Sequence, residues 1–369
     1  MNSRPAKSGI VITSILKASG GSDMMPSFIL RGVILISLLI LTSGCRSFPG
    51  MSAEGFYNPQ DVQRTWPPPP VAPRMTYLGE ARNPQQLGAR VSFWNRSVNL
   101  LTGSRYGREG WTRPTGLGLD EAGNLCIADP GTASVGWFDH ARKRFTRWTQ
   151  IGREPFSVPV AIAKRGERIY VADTGLAKVL VFDTRGRKKF EIGFPLERPS
   201  GLVLAGDQLI VSDAKVHALF FFTLDGELIR QVGTRGNGEA AFNFPTHLAA
   251  GPDRLYVADA MNFRIQVLDA SGRPLARFGQ MGQGSGQFSR PKGVATDGEG
   301  RVYVVDALFD NVQIFDRDEQ FLMHWGEPGS APGQFWLPGG IAIDPHGVVY
   351  VADAYNQRIQ MFRILEESP

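Results

Sequence analysis

The sequence is poor in the residues that metal sites and covalent frameworks need. Its 369 residues include two cysteines, Cys45 and Cys126, and five histidines. Two thiols so far apart build no disulfide framework and no paired-cysteine metal site. Long helices are not expected to dominate either, because 43 glycines and 25 prolines interrupt the chain with turns. The apolar run Val33–Leu41, "VILISLLIL", is short of the roughly 20 residues a spanning helix requires. No strong charge of one sign argues for nucleic acid. The formal charge is +5, but Arg4, Lys7, Lys17 and Arg31 precede Cys45 against one acid, Asp23; the remainder holds 36 basic and 34 acidic side chains. What the sequence does have is apolar material for a folded core, at 42% of residues.

The short apolar run follows Arg31 and leads into small residues, the pattern of a secretory signal peptide over residues 1–44. A start at Met24 or Met25 gives a leader of ordinary length. The run ends in "LTSGC", which resembles a bacterial lipobox and implies lipid attachment at Cys45, with Arg46 rather than Asp favouring the outer membrane. Thr42 departs from the usual leucine, and cleavage near Gly44 without lipid, or an uncleaved anchor, stays open. Residues 45–73 then read as anchor and tether, since "WPPPPVAP" holds an extended backbone that cannot join a sheet.

Beyond residue 110 the chain repeats. "YVADAMNFRIQVLD" (Tyr256–Asp269) returns as "YVVDALFDNVQIFD" (Tyr303–Asp316) and "YVADAYNQRIQMFR" (Tyr350–Arg363). Its aspartate recurs at Asp129, Asp173, Asp213, Asp259, Asp306 and Asp353, at intervals of 44, 40, 46, 47 and 47 residues. A period in the forties with several short strands per copy predicts propeller blades. Each aspartate stands where a strand meets a turn, so a structural role as acceptor of turn amides is expected. Cys126 takes the strand position held by Tyr170, Tyr256, Tyr303 and Tyr350 and is expected to be an inert core thiol.

"YVADAMNFRIQVLD", "PGGIAID" and "GQGSGQF" resemble NHL repeats over residues 111–365, more closely in the last three copies; the WD signature is absent. The resemblance implies an all-β, six-bladed β-propeller over residues 74–369. The last copy lacks a fourth strand, and "MTYLGEA" (Met75–Ala81) resembles one, so the N-terminal side is expected to close the last blade. A short helical insert is expected at about 90–102, from Trp94, Val98 and Leu101.

The family geometry puts the segments after each x-Pro at one mouth of the channel: Thr115-Gly116, Val160-Ala161, Ser200-Gly201, Thr246-His247, Lys292-Gly293 and Gly339-Gly340. That ring offers one histidine and no acid, too few ligands for catalytic zinc. No cofactor is expected. An apolar rim is expected instead at Phe263, Leu308, Phe309, Trp336 and Tyr355, beside His247 and Lys292, with residues 82–110 crossing the same face as a candidate cover. A basic patch is expected on the opposite face from Arg142, Lys143, Arg144, Arg185, Arg187, Lys188 and Lys189. Together these features suggest an exported, envelope-anchored module that binds a protein partner and no nucleic acid. A lactonase- or lyase-like enzyme with a metal near His247, and a small-ligand sensor, are the alternatives.

Overall fold

A computed structural model describes residues 57–58, 62–90 and 110–365. The leader, Cys45 and nearly all of the expected helical insert lie outside these residues. The aspartate repeat marks the blades. Five four-stranded antiparallel sheets follow one another in the chain, and a sixth, five-stranded sheet joins the two ends. Blade one runs from Gly116 to Trp148, blade two from Pro159 to Ile192, and blade three from Pro199 to Val232. Blade four spans Pro245–Phe278 and blade five Pro291–Trp325. Blade six begins at Ile341–Ile343 and continues through Val348–Asp353 and Arg358–Ile364. The first strands of the six blades pack side by side in a closed ring, so the protein is an all-β, six-bladed β-propeller.

The second and third strands are apolar on both faces because each sheet is sandwiched between two neighbours. In blade five, Tyr303, Val305, Val312 and Trp325 pack against Val349, Val351 and Phe362 of blade six, with the Trp325 and Phe362 rings 5.6 Å apart. Cys126 fills its expected slot fully buried, and burial pushes its thiol pKa up. First strands approach so closely that a Cβ at Gly116 would collide with the Val160 carbonyl of the next blade, and one at Gly293 with the Gly339 carbonyl.

Closure follows the expected route. Met75–Ala81 pairs antiparallel with Arg358–Ile364 as the fourth strand of blade six. A buried ion pair fastens it: Arg358 lies 2.5 Å from Glu80 of the closing strand and 2.7 Å from Asp353 of its own blade.

One expectation is corrected here. The chain before the prolines is not a free tether: Thr65–Trp66 adds a fifth strand outside Met75–Ala81, Trp66 is buried beside Phe362, and Arg64 pairs with Glu327 at 2.6 Å. The prolines do stay out of the ladder, but the two residues preceding them retain the N–H and C=O groups that a strand needs. Most of the candidate cover, residues 91–109, lies outside the described residues. Leu87 and Ala89 pack with residues of blades six and one, and the Arg90 N–H donates to the Lys143 carbonyl in the hairpin between the last two strands of blade one.

Candidate functional site

The strand-end aspartates build the mouth. All six are 2% exposed or less. Asp306 accepts N–H bonds from Ser289 and Arg290 before the first strand of blade five, and from Leu308 and Phe309 in the following turn. Asp129 likewise holds the N–H groups of Thr112 and Arg113, and Asp213 those of Glu197 and Arg198. Each carboxylate therefore ties the chain entering a blade to the turn between its second and third strands. In blades one, two, three and five it fixes the residue just before the proline, a position already biased away from helical backbone. In blades four and six Asp259 and Asp353 also pair with buried Arg264 and Arg358. There the pre-proline N–H groups of Phe244 and Leu337 go to His217 Nδ1 and Asp310.

The result is an axial cavity of about 640 Å³ lined by residues from every blade. A second cavity, at the far ends of the first strands, includes Leu117, Leu248 and Ile341. His247 lines the first cavity and its neighbour Leu248 the second, so the two cavities adjoin at their level. His247 occupies a slot that is glycine in four sister copies and Ala161 in the fifth. Both ring nitrogens are sealed from solvent without a hydrogen-bond partner. Burial and nearby Lys292 push its pKa down to about 4, and the Thr115 backbone of the opposite blade offsets this only in part. The imidazole is neutral at pH 7. The Lys292 ammonium lies over Gly339 of blade six. Burial, then Arg290 and Arg113, pull its pKa down to about 8.

Of the expected rim, His247, Lys292 and Tyr355 line this cavity. Trp336 and Leu308 are exposed outside it, and Trp336 stacks against Tyr355 with centroids 5.6 Å apart. Phe263 and Phe309 are half-buried and line no part of the cavity, because the turns that carry them lie outward of the first-strand ring. Phe244 and Met261, exposed at the edge, join the rim instead. Sequence reasoning also missed Arg113, Arg198 and Arg290, which all line the cavity. Their signal was the residue before each proline; the mouth was sought after it.

Of the hydroxyls near the axis, Thr115 has no hydrogen-bond partner, while the others are engaged with the backbone. Ser200 donates to the Pro245 carbonyl at 2.7 Å, and Thr174 to the Pro199 carbonyl at 2.6 Å. None reaches His247, so no base-activated nucleophile is assembled. Among the described residues no three His, Cys, Asp or Glu side chains gather as one metal ion would require.

The basic hairpins lie on the face away from the mouth: Thr184, in one of them, bonds Glu167 in the turn between the first two strands of its blade. Much of their charge is met locally. Arg142 pairs with Asp139, Arg187 and Lys189 with Asp183, and Lys188 with Glu154 and Glu191. Lys143, Arg144 and Arg185 sit among them.

Residues 335–362 match the NHL repeat family model. Among solved structures the chain resembles virginiamycin B lyase from Staphylococcus aureus, at 14% identity and a TM-score of 0.51 over 69% of this chain and 96% of that one. A streptogramin B lyase gives 13% and 0.53, over 69% and 94%. A protein of unknown function from Bacteroides thetaiotaomicron gives 16% and 0.55, over 69% and 70%. At these identities the likeness is one of fold.

Proposed function

We propose that the chain is a binding module: an exported propeller, held at a bacterial envelope by lipid on Cys45, that presents its axial mouth to an acidic segment of an envelope protein. One observation carries this reading. The axial cavity opens directly onto exposed apolar side chains, Phe244, Met261 and Tyr355, with Trp336 stacked beside them. Such a rim around a polar floor suits a docked chain, in which aromatic anchors exclude water from the polar contacts. The lyase-like alternative needs an activated group, and His247 has no hydroxyl, thiol or carboxylate partner to activate.

The test is site-specific photo-crosslinking in the native cell. A photoreactive residue at position 308 is expected to give one adduct of defined mass that disappears in Trp336→Ala. The same group at position 184, on the opposite face, should give none. Equal adducts from both faces, or none from either, would remove the mouth as the docking site. The anchor is tested separately: incorporation of labelled palmitate should vanish in Cys45→Ala.

A further inference from the structure

The six pre-proline positions alternate around the axis. Arg113, Arg198 and Arg290 stand in blades one, three and five; Val158, Phe244 and Leu337 stand in blades two, four and six. All six line the axial cavity. We infer that this alternating ring, with Lys292, is a receptor for an oxyanion group carrying more than one negative charge; resting on the binding-module reading, it assigns to the partner a cluster of carboxylates.

Four observations support the inference. First, no aspartate or glutamate lines the cavity, although the six blades contribute over twenty residues to it. Second, the cations are unpaired. Arg113, Arg198, Arg290 and Lys292 make no salt bridge with any described residue, whereas Lys215, just outside, pairs with Glu197 at 2.7 Å. The strand-end carboxylates of the same blades, Asp129, Asp213 and Asp306, are committed to backbone N–H groups. Third, the cations repel one another: Arg290 and Arg113 both act on Lys292, which acts in turn on His247. A fold that keeps four cations together without a counter-charge is complementary to an anion, and guanidinium forks fit carboxylate and phosphate oxygens in pairs. Fourth, buried His247, whose ring nitrogens make no well-formed hydrogen bond, lines the same cavity beside Lys292 and brings no negative charge to it. In sequence, residues 91–109 add no net negative charge, since they carry Arg96, Arg105 and Arg108 against Glu109.

The shared chemistry is the oxyanion, and a free polycarboxylate would offer it as well as a protein. The full chain in detergent is therefore titrated by calorimetry with citrate and with a synthetic peptide of three glutamates flanked by phenylalanine. Citrate is expected to bind. Arg198→Gln with Arg290→Gln should weaken it by about tenfold or more. Both arginines are exposed and unpaired, so the fold should survive, and an unchanged circular dichroism spectrum checks this. Lys292→Met should also abolish binding while raising the melting temperature, because it removes a half-buried cation that has no partner. No citrate binding, or binding indifferent to all three substitutions, would overturn the inference. The partner assignment fails separately. If citrate binds through the arginines while the peptide binds no tighter, and Trp336→Ala leaves the peptide unaffected, the receptor stands as a small-anion site and the protein partner falls.

Discussion

At the residue scale, the strand-end aspartate does more than cap a turn. Asp306 satisfies four backbone N–H groups, two of them in the segment that carries Arg290. Removing a buried acceptor leaves its donors unsatisfied. Asp306→Ala should cost about 3 kcal/mol of stability in urea denaturation. The loosened Arg290 should lower anion affinity as well. His247 makes a second prediction. Its folded pKa of about 4 lies below the usual 6.5, so between these values the unfolded chain binds the extra proton. Stability is full above about pH 6.5 and is lost as pH falls towards 4. His247→Leu should flatten that part of a stability-versus-pH profile. For Lys292 the folded value of about 8 lies below 10.5. Stability therefore rises as pH climbs through that interval, while anion affinity falls because the cation is lost. The groups facing Lys292 are Arg290 just before its strand, Arg113 of blade one and His247 of blade four. None is acidic.

At the scale of elements, ring closure rests on two strands of different weight. Met75–Ala81 brings Tyr77 into the core and Glu80 to Arg358. Glu80→Gln leaves a buried guanidinium with Asp353 as its one carboxylate, and should cost about 3 kcal/mol. A chain lacking residues 74–81 should lose cooperative melting or aggregate through the exposed edge of Arg358–Ile364. Thr65–Trp66 is the smaller element. A chain without residues 62–66 should stay folded and lose about 3 kcal/mol, mostly the burial of Trp66. Thermal unfolding of the two truncations distinguishes them. The same elements show what the sequence makes visible. The closing strand was legible because "MTYLGEA" shares its apolar alternation and glycine with other fourth strands. Trp66 was not, because the prolines after it describe only their own backbone and say nothing of the residues before them. The blades were legible from the spacing of six aspartates. The arginine ring was not, since each arginine looks like ordinary surface until the sheet geometry brings alternate blades around one axis.

At the scale of the whole molecule, basic charge is arranged differently on the two faces. The hairpins around Asp183 and Glu191 pair their lysines and arginines at 2.5–3.2 Å. The mouth leaves its cations open to a ligand. Charge that is free acts over about 10 Å at ordinary ionic strength and is screened by salt. Raising salt should therefore weaken citrate binding several-fold while moving the melting temperature little, which calorimetry and a thermal scan at two salt concentrations would show. If both change together, the paired charges, and not the open ones, dominate the field.

The Glu80–Arg358 contact joins residues 278 positions apart. In time rather than space, the strand synthesised early has no partner until nearly the whole chain exists. Contacts of such sequence separation slow folding, since a large loop must close before they form. Until then blade six is a three-stranded sheet with an open edge. A circular permutant that joins Leu365 directly to Val62 and opens between blades three and four would turn this last step into a contact between near neighbours in sequence. It should keep the same melting temperature and refold faster, which would make closure of the ring the event that sets how long the chain remains exposed before it is a propeller.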